Sequence, residues 1–486
     1  MKIKHYLCVF TCVLVINLFS QTLVYQQNTD AKDLETWMSL GLSRWNVPAP
    51  KKGIFKYDSL YLLSHTDSLG ATICATPILS LWLGKENGQA ELKYQNSRGL
   101  LLTGGYRNFS CFAMIVENQA IFPAYQKYFV ETHGEYYPVG NAYNQQNAMI
   151  PGAGRTKAFK STGFDYAYSQ GGMQWDLFQR ISIFGGNCAL QFGEGIRSLF
   201  WSAHNQVALI GAKIRLGRHF QFVFSKGKLQ DLIRKPLYAG VESPYYKKGY
   251  SMNALTYTHN KIHVGAIYQT VWEGGDSLKE RPFSSWYWAP FPGFDMLAKE
   301  RASLPQVGLM GRYSPNKIIT VYGEGFFRGL SNKTLSYQLG VKFQPVLSQS
   351  ASASLNISYI SVGKTFYGDN YSLSFSSNNL PLGSLMGNGT RELLISGKFA
   401  YKRLYMNLLM QYYTTKSGQN ILFRESYLPE NRVIHGVGEV GVFINYITQT
   451  VIFTCLDYRI GTTSFPKTLF VSSGIKTALF QNHYAY

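Results

Sequence analysis

The chain is poor in charge. Only 15% of its 486 residues are Asp, Glu, Lys or Arg, against roughly a quarter in an ordinary soluble domain, and acids are the scarcer sign, 27 against 47 basic residues. A conventionally hydrated surface all round is therefore excluded. Cysteine is also scarce, with six in all, and their positions show no Cys-x-x-Cys pair and no His spacing suited to a metal. Beyond the first twenty residues no apolar run is long enough for a membrane-spanning helix, which needs about 20 residues. There is no Gly-x-Ser-x-Gly elbow, no phosphate-cradling Gly-Lys-Ser/Thr loop and no His-Glu-x-x-His helix, so the sequence carries no motif for a cofactor, a metal or an enzyme. Gly323-Glu324-Gly325 lies inside an alternating run with no helix after it, and His204, His219, His263 and His435 are far apart.

What is present points to β-structure. Tyr (35), Phe (31) and Trp (8) make up 15% of the chain, beside 46 Gly. An apolar content of 45% is too high for a disordered chain. The N-terminus has Lys2 and Lys4 followed by Leu7–Phe19, an almost unbroken apolar run ending at Ser20. This reads as a secretory signal over residues 1–20; a short membrane anchor is the alternative, and the run is too short for one. Loss of Lys2 and Lys4 lowers the net charge from +20 to +18 and leaves Cys74, Cys111, Cys188 and Cys455. Single thiols on strands are the expectation, with one or two disulfides as the alternative in an oxidising compartment.

From about residue 89 the sequence alternates over runs of roughly 8 to 13 residues separated by turn residues. In 404–413, Leu404, Met406, Leu408, Met410 and Tyr412 share a face opposite Asn407 and Gln411. In 451–460, Ile452, Leu456, Tyr458 and Ile460 oppose Cys455, Asp457 and Arg459. Only helices and closed barrels satisfy the backbone in lipid, so a membrane protein with this pattern must be a barrel. Long connections at 273–304, 363–390 and 416–432 fall on one side by parity, and short turns fall on the other, as in outer-membrane barrels. The expected fold is all-β: a transmembrane antiparallel β-barrel of about 18 strands over 89–486, with a small N-terminal segment, 21–88, on the periplasmic side. In that segment Asp30–Trp45 can form an amphipathic helix under the barrel, as a plug; a further strand pair with a leader is the other reading.

Two segments combine Gly-rich turns with an arginine: Ile150-Pro151-Gly152-Ala153-Gly154-Arg155, and Phe192-Gly193-Glu194-Gly195-Ile196-Arg197-Ser198-Leu199-Phe200-Trp201-Ser202-Ala203-His204-Asn205. Glycine permits close approach or positive φ, and arginine at such a turn can grip carboxylates or phosphates in bidentate fashion. The alternative is a structural turn whose arginine pairs with a carboxylate of the wall. These two stretches, with the ending Ser473-Gly474-Ile475-Lys476-Thr477-Ala478-Leu479-Phe480-Gln481-Asn482-His483-Tyr484, resemble the Wzi-type capsule-assembly outer-membrane proteins, and most of all the Bacteroidetes branch that includes the gliding-motility protein RemB. The resemblance spans roughly residue 90 to the end. It departs at Ser202-Ala203-His204-Asn205, where that branch tends to carry Ser-Asp-Asn.

The resemblance implies an 18-stranded barrel with helical material near its periplasmic end and a lectin-like, non-enzymatic role at the outer membrane. The expected function is to bind or anchor surface polysaccharide in support of capsule assembly or of surface adhesion and gliding motility. A diffusion channel or importer for small solutes, and a structural envelope component of a secretion or motility machine, are the alternatives. The residues themselves add a positive balance suited to acidic polysaccharide or lipid phosphate. They also add flat aromatic faces for sugar rings at Trp286, Tyr287 and Trp288; an aromatic girdle at the lipid interface is the other reading of that cluster. Arg155, Arg197, Trp201, Trp286, Tyr287 and Trp288 are the candidate binding residues. Expected partners are outer-membrane lipid, acidic surface polysaccharide and other envelope proteins, with no nucleic acid and no cofactor.

Overall fold

The computed structural model describes residues 39–40, 63–139, 142–178, 180–234, 245–274, 292–293, 303–328, 335–348, 350–368, 371–415, 431–445, 450–461 and 466–477. The signal region, the proposed helix apart from Ser39 and Leu40, and Trp286, Tyr287 and Trp288 lie outside them. Ser39–Leu40 form a two-residue strand against Gln191 and Leu190, not a helix.

Eighteen strands make the wall. They are β1 (Thr72–Glu86), β2 (Lys93–Tyr106), β3 (Phe109–Ile121), β4 (Gly163–Leu177), β5 (Ile181–Gln191), β6 (Gln206–Leu216), β7 (Phe220–Arg234), β8 (Tyr245–His259) and β9 (Ile262–Glu273). The second half is β10 (Ser303–Tyr313), β11 (Ile319–Phe327), β12 (Ser336–Phe343), β13 (Ala351–Ser361), β14 (Thr390–Tyr401), β15 (Leu404–Thr415), β16 (Asn431–Asn445), β17 (Thr450–Gly461) and β18 (Thr468–Thr477). Each pairs antiparallel with its chain neighbours, and β18 closes on β1 with Phe470 opposite Glu86 and Lys476 opposite Ser80. Closure removes every free edge, which is the condition for crossing lipid with strands. β1 falls in the stretch expected to precede the barrel. The wall therefore begins at Thr72 and not at residue 89, because Ile73, Leu79, Leu81 and Leu83 alternate with Cys74, Ile78 and Ser80 across the two faces.

The alternation sets inside and outside. On β15, Leu404 and Met406 are 58% and 47% exposed, whereas Tyr405 and Gln411 on the opposite face are buried at 3% and 1%. The outward row of Leu, Ile, Val, Met and aromatic side chains continues around the wall. Such a band in water would cost on the order of tens of kcal/mol, and in a bilayer it is solvated by acyl chains.

The connections divide cleanly between the two ends. At one end are the turns 107–108, 178–180, 217–219, 260–261, 314–318, 344–350, 402–403 and 446–449, together with both chain ends of the barrel. At the other are the long connections, among them 122–162, 192–205, 274–302, 362–389 and 416–430. Short turns mark the periplasmic end. Two-residue turns need left-handed backbone, and Arg107, Asn260 and Lys402 supply it at φ 51°, 48° and 48°. A nine-residue helix, α1 (Ala124–Thr132), sits in the connection from β3 to β4. Among the described residues the α-helix is thus at the outer end, while the segment in which periplasmic helix was expected lies outside them apart from Ser39 and Leu40.

Candidate functional site

Three long connections turn back into the barrel from its outer end. The first is 122–162. It opens with α1, whose first residue is tied to the wall by Ala124 N–H donating to the Glu86 carboxylate at 3.0 Å, an anion at a helix N-terminus. At the next residue, Tyr125 Oη donates to Asp457 at 2.7 Å, and Asp457 also holds His435 at 2.9 Å. The chain then reaches the Pro-Gly-x-Gly-Arg turn, where Gly152 and Gly154 adopt φ 78° and 86°, conformations open to glycine. Tyr168 Oη clamps the turn through Pro151 O at 3.0 Å.

The second connection is 192–205, the other Gly-Arg stretch. Its carboxylate and its arginine both face wall strands of opposite charge. Glu194 accepts from Arg312 at 2.6 Å and from Lys342 at 2.5 Å. Burial works against its charge, but the two cations overcome it and hold the carboxyl down at about 2. Arg197 donates to Glu392 at 2.6 Å, which also accepts from Gln411 at 2.5 Å, while Gln338 donates to Arg197 O at 2.8 Å. Ser198 Oγ and Leu199 N–H both donate to Glu324 at 2.9 Å. At Gly193 and Gly195 a Cβ would collide with Glu324 and Gln338, so the glycines are what let the backbone lie this close to the wall.

The third connection, 362–389, completes the filling and is stitched to the second. Tyr367 Oη donates to Leu199 O at 2.9 Å and accepts from Ser384 N–H at 2.6 Å. Ser202 N–H donates to Leu382 O at 2.8 Å, and Asn205 Nδ2 to Pro381 O at 2.7 Å. His204 Nε2 lies 2.7 Å from Pro381 O. Burial lowers its pKa to about 3 despite that carbonyl, with Arg197 adding to the depression, so the ring is neutral and donates. Asp231, on the wall, is reached by Lys248 at 2.6 Å, Ser376 Oγ at 2.8 Å and Asn379 N–H at 3.1 Å. Asn379 in turn donates to His133 O and Gly134 O at 3.0 and 2.8 Å, which joins the third connection to the first.

Inside this polar frame lies an apolar core. Leu199, Phe200, Trp201, Phe366, Phe375, Leu380 and Leu382 are all buried to within 1%, and they pack on wall residues including Tyr250 and Phe326. Trp201 meets Tyr250 edge-on at 5.4 Å between ring centroids, and Phe200 stacks on Phe326 at 5.8 Å. The lumen at this level is a packed protein interior.

The candidate residues therefore separate. Arg197 and Trp201 belong to the buried plug, and Arg197 pairs with a wall carboxylate. Arg155, by contrast, stands at the outer end with 41% of its side chain exposed, while its Nε meets the buried Glu135 at 3.0 Å. Arg234 pairs with the same carboxylate, and Asn147 donates to it at 3.0 Å. Lys157 and Lys160, next to Arg155, are exposed. Residues 362–389, expected only as a long outer connection, and the wall carboxylates Asp231, Glu324 and Glu392 are parts of the plug that the sequence does not mark as such. The signal available was the lone acid at an inward position of an alternating strand in an acid-poor chain. Of the cysteines, Cys111 is disulfide-bonded, and Cys74 and Cys455 are free thiols facing inward; the expectation of single thiols thus fails for Cys111.

No protein-family profile matches the chain, and no curated protein matches it. Among solved structures it resembles Wzi, described as an outer-membrane protein involved in group 1 capsule assembly in Escherichia coli and as a carbohydrate-binding β-barrel. The likeness has 12% identity over 82% of this chain and 83% of that one, with a TM-score of 0.51. It also aligns with Pseudomonas aeruginosa OccK2 (OpdF) in complex with glucuronate, at 8% identity over 83% and 97% of the two chains and a TM-score of 0.44. A BenF-like porin from Pseudomonas fluorescens Pf-5 aligns at 6% identity over 83% and 97%, again with a TM-score of 0.44. At these identities the likeness to Wzi is one of fold. That fold, closed around an exterior that lipid must solvate, is the fold of an outer-membrane barrel and puts the chain in the outer membrane.

Proposed function

We propose that this protein binds acidic surface polysaccharide at the outer membrane and holds it at the cell surface, in support of capsule assembly or of surface adhesion and gliding motility. The observation that carries the reading is the filled lumen. A diffusion channel needs a continuous aqueous path, whereas here three outer connections pack an apolar core inside the barrel. The working surface is then the outer end. There Arg155 is held by Glu135 with part of its side chain open to solvent, in the company of exposed Lys157 and Lys160. Uronic-acid carboxylates suit such cations, and Trp286, Tyr287 and Trp288 in the connection 274–302 supply faces for sugar rings. The carbohydrate-binding description of the Wzi structure agrees with this reading. Arg197 and Trp201 act behind the surface as positioning residues that fix the plug.

The test is retention of acidic polysaccharide by cells and by purified barrel. Alanine at Arg155, Trp286, Tyr287 and Trp288 together should release the glycan while heat-modifiable migration stays that of a folded barrel. Wild-type retention in that variant would overturn the assignment.

A further inference from the structure

The short-turn end of the barrel carries its own charge pattern. Arg107, Arg180, Arg218, Lys261, Lys317, Lys402 and Arg403 lie in the turns 107–108, 178–180, 217–219, 260–261, 314–318 and 402–403, and none of the eight short turns contains an Asp or a Glu. Arg403 is used internally, donating to Phe443 O and Ile444 O at 3.0 and 3.1 Å. The other six are exposed, and among the described residues none of the six enters an ion pair. The pattern covers six of the eight short turns, those joining β2–β3, β4–β5, β6–β7, β8–β9, β10–β11 and β14–β15.

Directly above the cations is a row of outward apolar and aromatic residues. Trp175, Phe220, Ile262, Tyr313, Tyr401 and Leu404 are exposed beside these turns, and Phe178, within one of them, is 84% exposed. Arg107 lies over the Tyr106 ring at 4.9 Å, and Lys402 over the Tyr401 ring at 5.3 Å. Aromatic side chains belong at headgroup depth, so the cations beside them stand level with lipid phosphates or just beyond. We propose that this rim binds the anionic phospholipid headgroups of the periplasm-facing leaflet, a phosphatidylglycerol-type lipid in preference to a zwitterionic one. Each juxtamembrane cation at an anionic surface is worth about fivefold in partition, and the six place positive charge beside the annular lipid along the arc from β2 to β11 and again at β14–β15. The attraction weakens with salt as exposed charges are screened.

The test uses the whole barrel reconstituted into vesicles of equimolar phosphatidylglycerol and phosphatidylethanolamine, then released in mild detergent, with the retained lipid counted by mass spectrometry. Wild type should retain phosphatidylglycerol several-fold over phosphatidylethanolamine, and the excess should fall as salt is raised. The combined variant Arg180→Gln, Arg218→Gln, Lys261→Gln and Lys317→Gln should lose the excess. It leaves Arg107 and Lys402 in place because their backbones are left-handed. The pair Arg180→Lys and Arg218→Lys should keep it. Equal retention of both lipids by wild type, an excess indifferent to salt, or an undiminished excess in the Gln variant would each overturn the proposal. So would co-sedimentation of wild type with isolated peptidoglycan in the absence of any lipid preference. The wild-type salt series decides the matter even where the Gln variant does not fold.

Discussion

Arg197 and Glu392 meet at 2.6 Å although 195 positions separate them in the chain, one in an outer connection and the other on a wall strand. Both are buried; Gln411 donates to the same carboxylate and Gln338 to the backbone carbonyl of Arg197. The pair pins the plug to the barrel.

Removing one partner of a buried pair leaves the other uncompensated. Arg197→Met should therefore destabilise the folded plug by roughly 3–5 kcal/mol, read as a lower urea midpoint for release of the connection 192–205. Because that cost is mainly the stranded carboxylate, Arg197→Met with Glu392→Gln should recover a substantial part of it. A double variant no more stable than the single one would show that the pair is not the anchor.

Tyr367 joins the two inserted connections through a single hydroxyl that donates to Leu199 O and accepts from Ser384 N–H. Tyr367→Phe keeps the ring and strands both backbone groups, at a cost of about 1–3 kcal/mol. Hydrogen exchange should quicken at Ser384 and in 198–202 while the wall strands keep their protection. Unchanged exchange there would mean that packing alone holds the connections together.

Two groups in the plug make its stability depend on pH in the same sense. The Glu194 carboxyl lies at about 2, below its ordinary 4.5, because Lys342 and Arg312 outweigh the effect of burial. Its contribution is full above about 4.5 and is lost as pH falls toward 2. His204 lies at about 3 against an ordinary 6.5, so the unfolded connection takes up a proton that the folded one refuses. That loss begins below about 6.5 and continues toward 3. These two contributions are constant above neutrality and fall away on acidification. His204→Gln should flatten the upper part of the decline, and Glu194→Gln the lower part, in denaturation profiles taken across that range.

The wall was legible because period-two alternation is local information. Leu404, Met406, Leu408 and Met410 announce their face without reference to any other strand, and the parity of long and short connections then gives direction. β1 was harder to place, since Pro77 and the apolar residues Ile78 and Leu79 in succession blur its alternation. The plug was not legible as a plug. Nothing near Arg197 in the chain says that its partner is Glu392, and the aromatic content of Phe200-Trp201 suits a sugar platform as well as a buried core. What decides is three-dimensional: the strands bearing Glu324, Gln338 and Glu392 are brought together only when the barrel closes. The same Gly-Arg pattern marks Arg155, which stands partly exposed at the outer end, and Arg197, which is buried against Glu392, so the pattern alone does not separate rim from plug.

The central claim is that outer connections fill the lumen and leave the surface as the working part. Conductance of the purified wild-type barrel in a planar bilayer tests it most directly. Wild type should give a closed baseline, with steps appearing when Arg197→Met loosens the plug. Steady open-channel current from wild type would contradict it.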